Sequence, residues 1–285
     1  MPGGPPFALI TGCSSGIGKQ LAIAFAEKGV TVLATARQVE SLLDLASEYE
    51  NIEAFALELG SLASIDALRD VIVKRTGGRI DYLVNNAGTH YAATAMDLDV
   101  EEATKLFAVN VFAVMRLCQL FVPLLREAPY GRIVQIGSVT RAVPVVWQSA
   151  YNASKAALSQ YTKTLRLVSL ASLLLPGLFR AFFDILLQEL EPFGIEVIEV
   201  VAAFVRSNIL HHGLYSPDDS LYLPIKNTIE RIKYEGNENG MDTNAFAASI
   251  VNKVTRRRPS LEIWEGTLAW RLRLLVTFFP LRLMV

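Results

Sequence analysis

Apolar residues along this chain fall into two alternating rhythms. Phe7 to Thr11 is a short apolar run ending in glycine, and Gly16 to Lys28 sets Ile17, Leu21, Ile23, Ala24 and Phe25 at helical spacing. That reads as strand, tight loop, helix. The pattern then repeats, with Val30 to Ala34 a strand, Val39 to Tyr49 a helix, Ile52 to Leu57 a strand and Leu62 to Lys74 a helix. Ile80 to Val84 is a further buried strand, Glu101 to Leu125 a long helix and Arg132 to Ile136 a strand. Another helix begins near Tyr151, Ile195 to Val201 is a sixth strand and Leu261 to Trp264 a seventh. Strands alternating with helices predict right-handed crossovers and an α/β fold: one doubly wound parallel sheet of about seven strands, covered by helices on both faces. Ser207 to Asn244 is polar and punctuated by Gly and Pro, which predicts a mobile loop with short helices.

Length and composition refine this. The 285 residues suit one domain, 1–285, and leave no room for a second catalytic one. Lys plus Arg number 27 against 28 Asp plus Glu, so there is no electrostatic footprint for nucleic acid. Cys13 and Cys118 lie far apart without a C-x-x-C pair, giving neither a disulfide framework nor a zinc site and fitting a reducing, cytosol-facing compartment. Met1 to Pro6 has no charged start or long apolar run, so no signal peptide is expected. The hydrophobic fraction of 52% is high for a soluble enzyme, and the excess sits in Leu167 to Leu190 and Leu268 to Val285.

Candidate chemistry gathers in two places. Thr11-Gly12-Cys13-Ser14-Ser15-Gly16-Ile17-Gly18 lies between the first strand and first helix, where glycines let the backbone approach a pyrophosphate at a helix N-terminus. Ser138, Tyr151 and Lys155 form the second set, with Tyr and Lys four apart on one helix face. A free phenol titrates near 10, so it handles protons poorly at neutral pH until a neighbouring ammonium stabilises the phenolate. Lys155 would supply that charge, and Ser138 would hydrogen-bond a substrate oxygen. At the end of the second strand the chain places Ala36 and Arg37 where an acidic residue would bind the ribose hydroxyls of NAD. A guanidinium there suits the 2′-phosphate of NADP(H). His90, His211 and His212 lack a third ligand at metal-binding spacing and are read as loop or pocket wall. Asp97, Asp99, Glu101 and Glu102 read as the cap of a helix start.

The spacing T-G-x-x-x-G-x-G, together with Tyr151-Asn152-Ala153-Ser154-Lys155 and Ser138, resembles the short-chain dehydrogenase/reductase family from Phe7 to Trp264. The resemblance implies a Rossmann-type fold and hydride transfer between nicotinamide and a carbonyl or alcohol carbon. It implies Tyr151 as general acid/base, and Asn110 as the helix asparagine that supports a proton relay. Gly12, Ser14, Ser15, Gly16, Ile17 and Gly18 would hold the dinucleotide, with Asn86, Ala87 and Gly88 beside the adenosine ribose and Glu58 in place of the usual aspartate near adenine. Tyr151 and Lys155 would also touch the cofactor, as would Val205 and Ser207 near the nicotinamide. The tail from Trp264 to Thr267 and the apolar stretch after it resemble fungal 1-acyldihydroxyacetone-phosphate reductases, which implies a small hydrophobic or lipid-like carbonyl substrate. It also implies work at an endoplasmic-reticulum or lipid-droplet surface. Leu268 to Val285 carries Arg271, Arg273 and Arg282, so it is expected to lie on a membrane and not span it, or else to fold over the pocket or a dimer contact.

Two segments depart from the family pattern. Ala202-Ala203 stands where Pro-Gly is usual, which puts some cofactor affinity in doubt. Val168 to Gln188 interrupts an otherwise continuous pattern, either as translated intron sequence or as a genuine insertion such as a membrane-dipping hairpin. It follows the Tyr151 helix, where family members often pair, so a homodimer is left open. Steroid, retinoid or polyketide ketones are alternative substrates. A non-catalytic nucleotide-binding, membrane-associated protein is the alternative class.

Overall fold

The computed structural model describes residues 4–166, 190, 193–207 and 213–279. The segment 168–188, the pair His211-His212 and the end of the tail from Pro280 lie outside the described residues. Seven parallel strands form one sheet: β1 (Phe7–Thr11), β2 (Thr31–Ala36), β3 (Ile52–Ala56), β4 (Tyr82–Asn85), β5 (Arg132–Ser138), β6 (Glu196–Ala202) and β7 (Glu262–Glu265). Their order is β3-β2-β1-β4-β5-β6-β7, so the winding reverses between β1 and β4. That reversal opens a crevice at the strands' carboxyl ends, where ligands of such sheets bind.

Helices cover both faces. α1 (Gly16–Glu27) follows the glycine loop, and α2 (Leu43–Glu48) is preceded by a tighter turn, Val39–Leu42, so the helix expected from Val39 starts later than its pattern suggests. α3 (Leu62–Thr76) is capped by Ser61 Oγ, which accepts from Ser64 N. α4 (Val100–Phe107) begins at Asp99, whose Oδ1 accepts from the amides of Glu101 and Glu102, the role expected of this acidic cluster. A π-helical turn, Ala108–Phe112, joins it to α5 (Ala113–Leu125). The long helix expected from Glu101 to Leu125 is therefore continuous but distorted around Asn110. α6 (Ser149–Arg166) carries Tyr151 and Lys155.

The polar stretch 207–244 contains a longer element than expected, the thirteen-residue α7 (Lys226–Glu238). A further helix, α8 (Thr243–Val254), went unread in the sequence. Its signals are present: Asp242 caps it, and Phe246, Ala247, Ile250, Val251 and Val254 make one fully buried stripe. The stripe packs with α1 on one sheet face, in a core with Leu21, Phe25, Ile10 and Val200. The opposite face is covered by α3, α5 and α6 through Ile65, Leu68, Phe121 and Leu158. α9 (Ala269–Phe278) closes the described chain; Ala269 is buried, while Trp270, Leu274 and Phe278 are exposed.

Candidate active site

The loop between β1 and α1 is shaped by two glycines. Gly12 has φ +73°, and a Cβ there would come within 2.9 Å of the Ala87 methyl. At Gly18 a Cβ would lie 2.0 Å from the Gly12 carbonyl oxygen and 2.4 Å from Asn86 Nδ2, so no side chain fits. Asn86 fastens this loop, donating through Nδ2 to the Thr11 carbonyl at 2.8 Å. Thr11 Oγ1 accepts the backbone amides of Asn86 and Ala87 at 3.0 Å each. Two loops from neighbouring strand ends are thus held together at the winding reversal.

A cavity of about 940 Å³ opens there. Gly12, Ser14, Ser15, Gly16, Ile17, Gly18, Arg37, Glu58, Asn86, Ala87, Gly88, Val205 and Ser207 all line it, as do Ser138, Tyr151 and Lys155. Every cofactor-binding candidate therefore faces one space. Asn110 lies behind the wall, 1% exposed. Its Oδ1 accepts from Thr89 N at 2.8 Å and its Nδ2 donates to Thr89 O at 3.0 Å and Ser154 Oγ at 3.1 Å. The π-helical turn presents that side chain to the segment after Gly88 and to α6 together.

Tyr151 and Lys155 project from one face of α6, with the ammonium 5.7 Å from the phenol ring centroid. Lys155 Nζ donates to the Ile136 carbonyl at 2.9 Å. Burial pulls this lysine from the ordinary 10.5 down to about 8, with the Glu199 charge opposing the fall. Burial pushes the Tyr151 phenol up to about 12, and its hydrogen bond with Ser138 pulls the other way. The lowering of the phenol by Lys155 that the motif implies is not among these influences; at neutral pH Tyr151 is held as a proton donor. Ser138 ends β5, and its Oγ accepts from Thr140 N at 3.2 Å.

Two aromatic residues outside the catalytic set complete the walls. His90 packs on Tyr151 with ring centroids 5.0 Å apart, a pocket-wall position as expected. Trp147, two residues before α6, is 6% exposed and has φ +61°, a costly conformation for a bulky side chain. It gathers Ala92, Leu214, Tyr222 and Ile229 into a small separate core, so residues from the 207–244 region roof the cavity. Local pattern alone does not reveal Trp147, because its partners come from distant loops. Ala203 has no positive φ, since Trp147 and Leu268 are the non-glycine residues with one among those described. Ala203 thus adopts no backbone angle reserved for glycine; its amide donates to Glu265 O at 2.8 Å. Cys13 is wholly buried and its thiol is pushed up to about 12, which leaves it inert beside the loop.

The glycine cradle fits the phosphates of a dinucleotide, because Gly12 and Gly18 let the loop fold tightly against Ala87 and Asn86 and so bring the N-terminal turn of α1 to the cavity wall. Residues 6–170 match the short chain dehydrogenase family. The chain is 35% identical to a short-chain dehydrogenase from Pyricularia oryzae over 98% of its own length and 92% of that protein's. It is 36% identical to the NADPH-dependent 1-acyldihydroxyacetone phosphate reductase of Schizosaccharomyces pombe, across 78% of this chain and 70% of that one. Its fold overlays a solved short-chain dehydrogenase from Streptomyces avermitilis with a TM-score of 0.75 and 29% identity, covering 94% and 90% of the two chains. With its glycine cradle, its serine, tyrosine and lysine at one cavity and these relatives on both sequence and fold, the chain belongs to the short-chain dehydrogenase/reductase family of oxidoreductases.

Proposed function

We propose that the protein is an NADPH-dependent reductase of an apolar ketone, running as an alcohol dehydrogenase in reverse. The observation that carries this is Tyr151, kept protonated by burial and bonded to Ser138 beside the glycine cradle. Bound NADPH would supply hydride to the carbonyl carbon. Ser138 orients the carbonyl oxygen, and Tyr151 hands it a proton as negative charge develops there. Lys155, charged below about pH 8, stabilises the phenolate left behind. Asn110 fixes the segment after Gly88 and, through Ser154, the helix that carries the pair. Arg37 is the group we assign to the 2′-phosphate, and Glu58 and Ser207 line the same cavity.

Lipid ketones such as 1-acyldihydroxyacetone phosphate are one substrate reading, supported by the name of the S. pombe relative. An uncharged steroid, retinoid or polyketide ketone is the second. It is favoured by a roof of Val145, Val146, Trp147, Leu214, Ile229 and Ile232. Among the described lining residues, Lys and Arg are confined to Arg37, Lys105 and Lys155, and Lys105 is paired with Glu102 at 2.7 Å. We also propose that the protein works against a membrane from the cytosolic side. α9 exposes Trp270, Leu274 and Phe278 beside Arg271 and Arg273, and Thr267 just before it bridges to the cavity residue Phe204.

The test is NADPH oxidation with acyl-dihydroxyacetone phosphate and a panel of uncharged hydrophobic ketones, using the full chain and Tyr151→Phe. Turnover of one class, abolished by the substitution, is expected. Tight NADPH binding without turnover of any of them would point to the nucleotide-sensing alternative.

A further inference from the structure

Behind the Ser138, Tyr151 and Lys155 set lies a group of buried charges that the proposed chemistry leaves unused. Arg141 closes the turn Val139–Arg141 that follows Ser138. Its Nη1 donates to Glu199 Oε2 at 2.6 Å and to Ser159 Oγ at 2.8 Å, and its Nη2 to Glu262 Oε2 at 2.8 Å. The guanidinium carbon sits 5.5 Å from the Trp264 ring centroid. Turn, α6, β6 and β7 all meet at this one side chain.

Glu199 is 1% exposed, on the strand that pairs with β5. Its carboxylate lies against Gly137, where an added Cβ would come 3.2 Å from Oε1. The preceding residue, Ile136, is the one whose carbonyl receives the Lys155 ammonium. Ser159 lies one helical turn beyond Lys155 on the same face of α6, so Arg141 and Lys155 occupy successive places along one stripe. A single buried carboxylate thus serves two cations, one by direct contact and one by its field.

Stability alone is a poor reason for this arrangement. Desolvating a guanidinium and a carboxylate costs about what their attraction returns, and a packed apolar pair would hold the strands as well. We propose that Glu199, anchored by Arg141, is a positioning residue that keeps Lys155 charged at its place beside Tyr151 and fixes the turn that follows Ser138. The charged and titratable groups around Lys155 are Tyr151 on its own helix, Glu199 from β6, Arg141 from the turn after β5 and His90 from the segment after β4. Glu262 from β7 acts through Arg141. Glu199 is the member whose charge opposes the effect of burial on the lysine.

The inference rests on the catalytic reading above, and its test separates the two. The full chain, labelled with 13C at lysine Cε, is titrated by NMR without added dinucleotide, with the Lys155 signal assigned by its loss in Lys155→Met. The native midpoint is expected near 8. In Glu199→Gln it should fall by about one pH unit, and the alkaline decline of turnover on the best ketone of the panel should move down by the same amount. Turnover near pH 8 should drop about fivefold, with KM changing less than about twofold. Should Glu199→Gln fail to fold, the charge-free pair Arg141→Met/Glu199→Leu removes the carboxylate without stranding the arginine, and a smaller fall in the same direction is expected, because the guanidinium that opposes the ammonium is lost as well. Glu199→Asp, which keeps the charge, should restore part of the shift. An unmoved Lys155 midpoint in a folded Glu199 variant overturns the inference. Full turnover by Tyr151→Phe would instead overturn the catalytic reading, whatever the lysine does.

Discussion

Replacing Gly18 with alanine adds one methyl group where the structure has no place for it. The new carbon would lie 2.0 Å from the Gly12 carbonyl oxygen and 2.8 Å from its carbon. Both are backbone atoms, so no rotamer change can relieve the overlap. The first turn of α1 and the Gly12 strand end would have to part by about 1.4 Å to restore an ordinary contact, more than the misplacement of about 1 Å that costs a catalytic constellation about 100-fold in rate. NADPH affinity should fall by at least that factor, about 2.7 kcal/mol. The internal control is Gly29→Ala. Gly29 also has a positive φ, +76°, but a Cβ there meets nothing within 4 Å. That substitution should cost about 1 kcal/mol of stability through backbone strain and leave NADPH affinity alone. Dissociation constants from NADPH fluorescence, with urea unfolding alongside, separate the two effects. Unchanged NADPH binding in a folded Gly18→Ala protein would refute the claim that this loop is built around the dinucleotide.

Three further outcomes follow from other parts of the molecule. Arg37→Asp should weaken NADPH binding by about 10- to 100-fold, as loss of a charge-assisted contact would, while NADH binding holds or improves; equal losses for both would remove Arg37 from cofactor choice. Phe246→Ala empties a fully buried site between α8 and α1 and should cost about 3–5 kcal/mol in urea unfolding. A cost under about 1 kcal/mol would contradict the packing of this helix. Stability should also depend on pH in a defined window. Lys155 holds its proton to about 10.5 when unfolded but only to about 8 when folded, so from pH 8 upward the unfolded chain binds the extra proton and unfolding becomes harder, by about 1 kcal/mol up to pH 9 from this group alone and by about 0.3 kcal/mol once the two buried cysteines begin to offset it. Above 9 the trend reverses, because Cys13 and Cys118 release protons near 9 when unfolded but near 12 when folded. A stability maximum near pH 9, with the rise absent in Lys155→Met, is the expected result of urea titrations across this range.

Much of the site was legible because its residues signal locally. Gly12 to Gly18 sit in one loop, Tyr151 and Lys155 in one helical turn, and the apolar runs of β1 to β6 mark a sheet buried on both faces. What escaped notice depends on distant partners. Arg141 meets Glu199 and Glu262 across 58 and 121 residues, and nothing near Arg141 announces either contact. Trp147 reads as an ordinary aromatic until Leu214 and Tyr222 close over it. α8 was missed for another reason. Its cap and stripe are explicit, but they follow a polar segment whose Gly and Pro residues drew the whole region toward loop.

The π-helical turn at Ala108–Phe112 also sets the phase of everything downstream. The buried apolar positions step by five from Leu106 to Val111, with the buried Asn110 between them, and after that by three or four through Val114, Leu117, Phe121 and Leu124. One surplus residue is therefore stored in that turn, and it rotates the inward stripe of α5 by about 100° relative to a regular helix. Because the surplus is what swings Asn110 toward Thr89 and Ser154, regular winding and a correctly aimed amide are mutually exclusive here. A chain that lost one codon in this turn could wind more smoothly, and it would do so with the amide pointing at the wrong neighbours.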